Sequence, residues 1–379
     1  MNFDKLRDLI ATLPSRGFPA CDLSLAKDGK EILRLCAGYS DAAATKPVSE
    51  NDMYWVFSIS KIATCIGAMR LVEEGKISLN DPVGKYLPSY NSLTVQEKDG
   101  SIRPAKAPMT VLHLFTMTGG LDYNADKGTL KAFRAAHPHM TTREFTDELA
   151  RQPLNFDPGT HFAYSLCHDV LGALVEEVSG MRFADYMQTY LFDPLGMTDT
   201  HYHLPEEKRT RLSAVYQFKH GSYSAQHLPN HAHPAYRYSD RYDSGGAGLA
   251  TTVNDYMKLL SALACGGTSP EGYRVLRPET VAMLTRGFLG DPARADFMPG
   301  RLYGYSWGLC GRVHLEPHLS FSRSPVGEFG WDGAAASFAL VDPTNRISLF
   351  FATEVLGCHY AYNAIHPLLR DLAYEGLAL

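Results

Sequence analysis

The feature that most restricts the fold of this chain is an apolar run with helical spacing between Ser58 and Gly75. Its apolar residues recur every three or four positions, as on one face of a helix, and glycine commonly ends a helix. These residues are Ile59, Ile62, Ala63, Ile66, Met69, Leu71 and Val72. Ser58 and Lys61 stand three positions apart at the start of the run, so a helix would bring their side chains to one face.

A serine and a lysine on one helical face are the parts of an acyl-transfer site. A serine hydroxyl is a weak nucleophile unless a base removes its proton. Lys61 can be that base if burial or a neighbouring positive charge lowers its pKa. The alternative is that Ser58 caps the helix and Lys61 belongs to its first turn. The four residues alone do not decide between these interpretations, because so short a motif has accidental matches.

The chain contains a second S-x-x-K segment, from Ser24 to Lys27, in a different setting. Apolar and polar residues alternate on both sides of Asp28 and Gly29, as they do in a β-hairpin. On a strand, positions i and i+3 point to opposite faces, so Ser24 and Lys27 cannot act together. We therefore expect only the copy at Ser58 to carry chemistry.

The composition excludes several classes of function. The chain has 379 residues, enough for a large core, and its net charge of −5 offers no basic surface for nucleic acid. No run of 18 apolar residues is present, so no membrane span is expected. The charged residues 1–10 lack the apolar core of a signal peptide. This favours the cytoplasm, although a secreted protein whose signal had been removed would look the same. Seven scattered cysteines without a C-x-x-C pair favour reduced thiols.

Strand-like segments concentrate near the two ends of the chain. A hairpin follows the first helix, and residues 335–341 and 346–353 are typical of two strands joined by a turn. The middle of the chain is mainly helical. The pattern predicts one subdomain formed by residues 1–55 and 235–379 and a mainly helical subdomain formed by residues 56–234. A cleft between them is the expected site.

Several segments resemble the serine β-lactamase and penicillin-binding-protein superfamily, in the family's order along the chain. The resemblance is strongest to class C β-lactamases and family VIII carboxylesterases. It covers residues 57–61, 71–83, 109–121, 162–200, 245–249 and 330–343. It implies a β-lactamase/transpeptidase-like α/β (α+β) fold, with an antiparallel sheet flanked by helices and an all-helical subdomain. Agreement among so many segments is more specific than one motif.

The resemblance also implies catalytic roles. Ser58 corresponds to the acylated nucleophile, and Lys61 to the base that hydrogen-bonds it. Tyr164, in the segment F-A-Y-S-L, matches the second catalytic element, where a phenol could relay protons to the leaving group and to water. A neighbouring lysine ammonium should lower the pKa of this phenol. Without the resemblance, Tyr164 would be one of 21 tyrosines with no local feature to mark it.

The segment W-D-G-A falls where the family has its third motif, on an edge strand. The resemblance implies that the backbone N–H groups of Ser58 and Ala334 form an oxyanion hole, in which each donor contributes about 3 kcal/mol. Trp331, Asp332 and Gly333 would then contact the substrate. A small residue at 333 would let the substrate approach the strand closely.

The sequence departs from the lactamase pattern at two positions. Leu166 replaces the asparagine of Y-x-N, which contacts the acylamino side chain of β-lactams. Neither S-D-N nor K-T-G is present, and Asp332 places a potential negative charge near the location where the K-T-G lysine would bind a carboxylate. We therefore expect a serine hydrolase that cleaves small carboxylic esters, or amides without a carboxylate, through a Ser58 acyl-enzyme. The alternatives are an acyltransferase that uses the same acyl-enzyme, and a penicillin-recognising protein of the β-lactamase or D,D-peptidase type.

A rival nucleophile is Ser306, which lies in a G-x-S-x-G segment. That motif requires a strand before the serine and a helix after it. The residues after Ser306 are typical of a strand and a turn, so we expect Ser306 to have no catalytic role.

Three H-x-H pairs could in principle bind zinc from a strand. They lie in loop-like stretches without cysteine or acidic residues at ligand spacing. The pairs are His137 and His139, His201 and His203, and His231 and His233. We therefore expect no metal and no cofactor. The expected partner is a small ester or amide substrate, and the sequence does not indicate an oligomeric state.

Overall fold

The structure, a computed structural model, describes residues 1–229, 238–298 and 302–379. In chain order, the helices are α1 (Asp4–Thr12), α2 (Ser60–Glu73), α3 (Val111–Phe115), α4 (Leu130–Ala136), α5 (Thr142–Leu149), α6 (Cys167–Ser179), α7 (Phe183–Met187), α8 (Val253–Ala264), α9 (Pro278–Leu284), α10 (Asp291–Phe297), α11 (Pro317–Ser320) and α12 (His366–Leu377). The strands are β1 (Ala20–Lys27), β2 (Lys30–Gly38), β3 (Tyr54–Trp55), β4 (Thr94–Gln96), β5 (Ile102–Pro104), β6 (Tyr216–Lys219), β7 (Ser224–His227), β8 (Ala250–Thr251), β9 (Tyr305–Trp307), β10 (Arg312–His314), β11 (Phe329–Asp332), β12 (Phe338–Asp342), β13 (Ile347–Ala352) and β14 (Val355–Leu356).

The main sheet joins strands from both ends of the chain. Its seven strands run in the order β2-β1-β13-β12-β11-β10-β9, and every neighbouring pair is antiparallel. The N-terminal hairpin enters the sheet through β1, which pairs with β13 so that Asp22 faces Ala352. The antiparallel sheet with helices around it confirms the predicted α+β fold class.

The second predicted C-terminal strand has nearly the expected bounds, but its partner begins three residues late, at Phe338 rather than at residue 335. The preceding residues form a tight turn in which the Ala336 N–H donates to the Gly333 carbonyl at 2.9 Å. Ala336 adopts a left-handed conformation with φ 67°, which strands do not contain. The turn therefore takes the place of the first three residues of the predicted strand.

Both faces of the sheet are covered, and the side chains of its strands alternate between two cores. In β13, Phe350 belongs to the core shared with α2, α6 and α8. Leu349 and Phe351 belong to the opposite core, which α1 and α12 cover. Burial of each large apolar side chain stabilises the fold by about 1.5–3 kcal/mol. We call these two sides of the sheet the α2 face and the α12 face.

The predicted helix after Ser58 is present, with one difference at its start. A 3-10 turn, Phe57–Ile59, leads into α2, and Gly75 follows the helix with φ 69°. Phe57 itself has φ 45°, a conformation that is rare for a bulky residue and tends to occur near functional sites. No helix of the described residues is both long and apolar enough to cross a bilayer. The predicted subdomain boundaries stay a prediction.

Candidate active site

The structure brings Ser58 and Lys61 together at the start of α2. The Nζ atom of Lys61 lies 3.2 Å from the Oγ atom of Ser58. It also lies 2.7 Å from the Oη atom of Tyr123 and 2.6 Å from the carbonyl oxygen of Gly246. The carbonyl can only accept a hydrogen bond, so one N–H of the lysine is committed to it. In the neutral amine, a lone pair then remains to accept the proton of Ser58.

Burial makes Lys61 suitable as a base. Its side chain is fully buried, whereas Ser58 is partly exposed and therefore open to a substrate. Burial lowers the pKa of Lys61 to about 7, and the negative charge of Asp169 acts in the opposite direction. At neutral pH a substantial share of the lysine is the free amine, as general-base catalysis needs.

Asp169 is a buried carboxyl group that no sequence motif marked. It lies in the first turn of α6 and accepts hydrogen bonds at Oδ1 from Tyr242 and Ser244, each at 2.8 Å. Burial raises its pKa, and the positive charge of Lys61 acts in the opposite direction. The negative charge of Asp169 thus favours the charged form of Lys61 and offsets part of the effect of burial on the pKa of the lysine.

Two tyrosines, rather than one, lie against the lysine. Tyr164 is where the sequence predicted it, with its ring centre 4.6 Å from Lys61 Nζ. Its hydroxyl, however, accepts a hydrogen bond from the indole N–H of Trp331 at 2.9 Å. Lys61 instead donates a hydrogen bond to the hydroxyl of Tyr123, whose ring stacks on that of Tyr164 at 5.4 Å between centres. Sequence reasoning missed Tyr123, which lies in a loop without local chemical signals.

Because Gly246 has no side chain, the space beside its Cα atom is free for the side chains of Lys61, Tyr123 and Asp169. A Cβ atom at this position would lie 2.6 Å from the Oδ2 atom of Asp169, 3.0 Å from the Oη atom of Tyr123 and 3.4 Å from Lys61 Nζ. The first of these separations is shorter than any ordinary contact. The G-G-A-G-L segment was part of the resemblance, but its role is visible only once the chain is folded.

The W-D-G-A segment forms the end of β11 and the turn after it, and β11 lies between β12 and β10 rather than at the expected edge of the sheet. Trp331 points to the α2 face, where its indole meets Tyr164. Asp332 is the next residue on the strand and therefore points to the other face. Its Oδ1 atom lies 3.0 Å from Nδ1 of His366, at the start of α12. The expected contact between Asp332 and substrate stays a prediction, to which this ion pair gives no support.

Gly333 packs closely against the backbone of the segment that precedes the nucleophile. A Cβ atom there would lie 2.6 Å from the carbonyl oxygen of Val56 and 2.1 Å from the Oγ atom of Ser337. The turn that contains Ala334 therefore packs directly on the segment leading to Ser58. Leu166 is buried at the N-terminus of α6, among core residues. Substrate contacts of Gly333 and Leu166 stay predictions.

In the described part of the chain, neither Ser24 nor Ser306 forms a hydrogen bond with a lysine. Ser24 donates to Glu31 at 2.6 Å, and Lys27 donates to the carbonyl of Asn345 at 3.0 Å. Ser306 is buried in β9, and the chain after it turns into β10. The strand–turn–helix of a nucleophile elbow is absent at Ser306, as the sequence predicted.

The histidine pairs do not form a metal site in the part of the chain that the structure describes. His139 faces Asp240 at 3.0 Å, and His203 faces Asp243. The described residues contain no group of three or more histidine, cysteine or acidic side chains placed to hold a metal ion. His231 and His233 lie outside the described residues.

This geometry can perform acyl transfer. Ser58 supplies an accessible hydroxyl, Lys61 a buried amine within hydrogen-bond reach of it, and the tyrosines supply phenols beside the amine. A nucleophile and a base in contact, with the base oriented by further groups, is the general arrangement of covalent catalysis.

Known proteins resemble this chain over most of its length. The chain matches the Beta-lactamase family over residues 6–360. It is 28% identical to the esterase EstB of Burkholderia gladioli over 380 residues, which covers 92% of this chain and 89% of EstB.

Two solved structures share the fold. EstCE1, described as a hydrolase with promiscuous acyltransferase activity, has a TM-score of 0.82 and 24% identity over 98% of both chains. A family VIII carboxylesterase has a TM-score of 0.72 and 19% identity, over 99% of this chain and 97% of the other. The resemblance stated from the sequence is thereby confirmed, and the chain belongs to the Beta-lactamase family.

Proposed function

We propose that this protein is a serine hydrolase that cleaves small carboxylic esters through an acyl-enzyme on Ser58. The observation that carries the proposal is the contact between a partly exposed Ser58 hydroxyl and a buried Lys61 amine, 3.2 Å apart. The pKa of Lys61, lowered by burial to about 7, supplies the free base at neutral pH.

The reaction follows from the positions of these groups. Lys61 takes the proton of Ser58 as the serine oxygen attacks the ester carbonyl. The backbone N–H groups of Ser58 and Ala334 stabilise the oxyanion that forms. The proton returns from the lysine, through Tyr123 or Tyr164, to the departing alcohol. A water molecule then attacks the acyl-enzyme by the same route in reverse and releases the acid.

Esters are favoured over β-lactams because two recognition groups are absent. Leu166 provides no amide for an acylamino side chain, and Trp331 stands where a cationic K-T-G lysine would bind a carboxylate. Asp332 was expected to repel that carboxylate, but it pairs with His366 on the α12 face. The preference for esters therefore rests on missing attraction and not on repulsion. The relative EstB is named as an esterase.

Acyl transfer to an alcohol or amine is the second candidate. EstCE1, which shares the fold, is described as a hydrolase with promiscuous acyltransferase activity. Such a reaction uses the same acyl-enzyme and differs only in the acceptor that replaces water. Adding a primary alcohol to an ester assay and measuring the ratio of transfer product to acid distinguishes the two.

The decisive experiment compares p-nitrophenyl butyrate with a chromogenic cephalosporin on the same preparation. We expect steady hydrolysis of the ester at a kcat/KM at least about 100-fold above that for the cephalosporin, a difference of about 2.7 kcal/mol. Ser58→Ala should abolish ester hydrolysis, whereas the matched variant Ser306→Ala should retain it. A burst of acylation that stops, or equal turnover of both substrates, would contradict the proposal.

A further inference from the structure

The turn between β11 and β12 holds the backbone group proposed to bind the oxyanion. It closes through two hydrogen bonds, from the Gly333 N–H to the Ser337 carbonyl and from the Ala336 N–H to the Gly333 carbonyl, both at 2.9 Å. Among the described residues, the N–H of Ala334 has no acceptor. An oxyanion donor must be free in this way and must also be fixed in direction.

Tyr362 contacts this turn from outside the site. It lies in the π-helical turn Ala361–Ile365 that precedes α12, and its Oη atom lies 3.0 Å from the carbonyl oxygen of Gly333 and 2.9 Å from that of Ala334. The Gly333 carbonyl and the Ala334 N–H belong to the same planar peptide group, in which they point in opposite directions. A hydroxyl that holds the carbonyl therefore also sets the direction of the N–H.

His366 connects the two ends of the same turn. Its Nδ1 atom lies 3.0 Å from Oδ1 of Asp332, before the turn, and its Nε2 atom lies 3.0 Å from the carbonyl oxygen of Ala336, at the end of the turn. The imidazole is 1% exposed and stacks on Phe338 at 4.9 Å between ring centres. Both neighbours are oxygen atoms that can accept a hydrogen bond from a ring N–H of His366.

We propose that Tyr362 and His366, with Asp332, are positioning residues for the oxyanion hole. They hold the Gly333–Ala334 peptide so that its N–H faces the carbonyl oxygen of a substrate bound at Ser58. This inference rests on the proposed function, because it takes Ala334 as an oxyanion donor. It gives Asp332 a role on the α12 face in place of the substrate contact expected from the sequence.

The proposal can be tested by removing one hydroxyl. Tyr362→Phe keeps the ring and its packing but releases the two carbonyl groups. Because a complete oxyanion donor is worth about 100- to 1000-fold in kcat, the loss of its orientation should lower kcat for p-nitrophenyl butyrate about 10-fold. KM should change less than about twofold, because the donor acts mainly in the transition state.

Tyr374→Phe is the matched control. Tyr374 lies on α12, the helix that follows the π-helical turn of Tyr362, and its buried hydroxyl donates to Asp342 at 2.7 Å. Its removal should lower the melting temperature at least as much as Tyr362→Phe does, with kcat unchanged. A role of Tyr362 in stability alone would make the two variants behave alike in both measurements.

Asp332 provides a second, independent pair of variants. In Asp332→Asn the amide can donate to Nδ1 of a neutral His366, whose Nε2–H still donates to Ala336. This variant should keep kcat within about threefold, since both contacts survive. Asp332→Ala loses the first contact and should lower kcat more than about 10-fold when rates are expressed per active site. Titration with a p-nitrophenyl phosphonate counts the active sites and separates slow catalysis from incomplete folding.

The outcomes separate this inference from the proposed function. If Ser58→Ala retains ester hydrolysis, the proposed function fails and the oxyanion role of Ala334 fails with it. If hydrolysis depends on Ser58 but Tyr362→Phe and Asp332→Ala keep the wild-type kcat per titrated site, only the positioning role is overturned. The positioning role is supported if kcat falls without a matching change in KM in Tyr362→Phe and Asp332→Ala, while Asp332→Asn and Tyr374→Phe stay near the wild type.

Discussion

The two S-x-x-K segments of this protein have the same spacing, but only one of them brings its serine and lysine into contact. On β1, Ser24 bonds to Glu31 and Lys27 bonds to a carbonyl of another turn, so the two side chains serve different neighbours. At the start of α2, Ser58 and Lys61 lie 3.2 Å apart. The same three-residue separation gives opposite faces on a strand and one face on a helix. Secondary structure, and not the motif, therefore decides whether the pair can react.

The two lysines differ as much as the two serines do. Lys27 is half-buried at a hairpin end and reaches a backbone carbonyl, whereas Lys61 is fully buried among Tyr123, Tyr164 and Asp169. Burial lowers the pKa of Lys61 to about 7. A catalytic base thus needs a particular environment in addition to the correct distance.

The largest expected difference in kcat is between removal of Ser58 and removal of Ser24. Ser58→Ala should lower kcat for p-nitrophenyl butyrate by at least about 10,000-fold, because removing the nucleophile of a covalent mechanism leaves only residual catalysis. Ser24→Ala loses one hydrogen bond and should change kcat by less than about twofold. Circular dichroism checks that both variants fold, and a phosphonate titration counts the active sites of Ser24→Ala. Equal effects of the two substitutions would break the comparison.

Substitution of the two lysines should show the same contrast in kcat, with a smaller loss at Lys61 than at Ser58. Lys61→Ala is expected to lower kcat about 1000-fold, since an unactivated serine barely reacts at neutral pH. Lys27→Ala should leave kcat within about twofold of the wild type, because its amine donates to the Asn345 carbonyl and not to a serine. Single-turnover acylation rates, measured by release of p-nitrophenol, give the effect on the chemical step. A normal acylation rate in Lys61→Ala would assign the base to another group.

The tyrosines beside Lys61 sharpen the comparison further. Tyr123→Phe removes the hydroxyl that bonds to the lysine, and Tyr164→Phe removes the hydroxyl that bonds to Trp331. We expect each to lower kcat about 100-fold, within the range for a lost proton-transfer group. Tyr123→Phe should also move the midpoint of the pH–rate profile more than Tyr164→Phe does, because the Tyr123 hydroxyl hydrogen-bonds to the lysine amine. A larger shift of the midpoint in Tyr164→Phe would instead assign the direct contact to that residue.

The pH dependence should carry the signature of the buried lysine. The pKa of Lys61 is about 7, well below that of an ordinary lysine, and only the neutral amine accepts the serine proton. kcat/KM should therefore rise with pH through about 7, by about tenfold per unit on the acid side, and then level off. The apparent midpoint belongs to the coupled group of lysine, tyrosines and Asp169. A profile without an acid limb, with chemistry rate-limiting, would exclude Lys61 as the base.

Much of the site could be predicted from the sequence because its first parts are local. Helical periodicity placed Ser58 and Lys61 on one face, and strand alternation removed Ser24 and Lys27. Tyr123 could not be predicted in this way, because a loop far along the chain brings it to the lysine. Gly246 and Asp169 likewise acquire their roles only through packing.

The position of Asp332 could have been predicted more closely than it was. Side chains alternate along a strand, so a Trp331 that faces the site implies an Asp332 that faces away from it. The resemblance aligned both residues with a binding motif and said nothing about which face each one occupies. The partner, His366, comes from a helix 34 residues later, which no local pattern connects to the strand.

The pairing of β1 with β13 has a consequence for how the protein is made. Asp22 faces Ala352 across these strands, so the sheet joins segments from nearly opposite ends of the chain. Such distant pairing slows folding, because a long loop must close before its contacts form. During synthesis, the N-terminal hairpin cannot pair with β13 until almost the whole chain has left the ribosome, and until then its apolar residues stay exposed. We expect nascent chains that end before β13 to require chaperones and to remain inactive, even though Ser58 and Lys61 are made early.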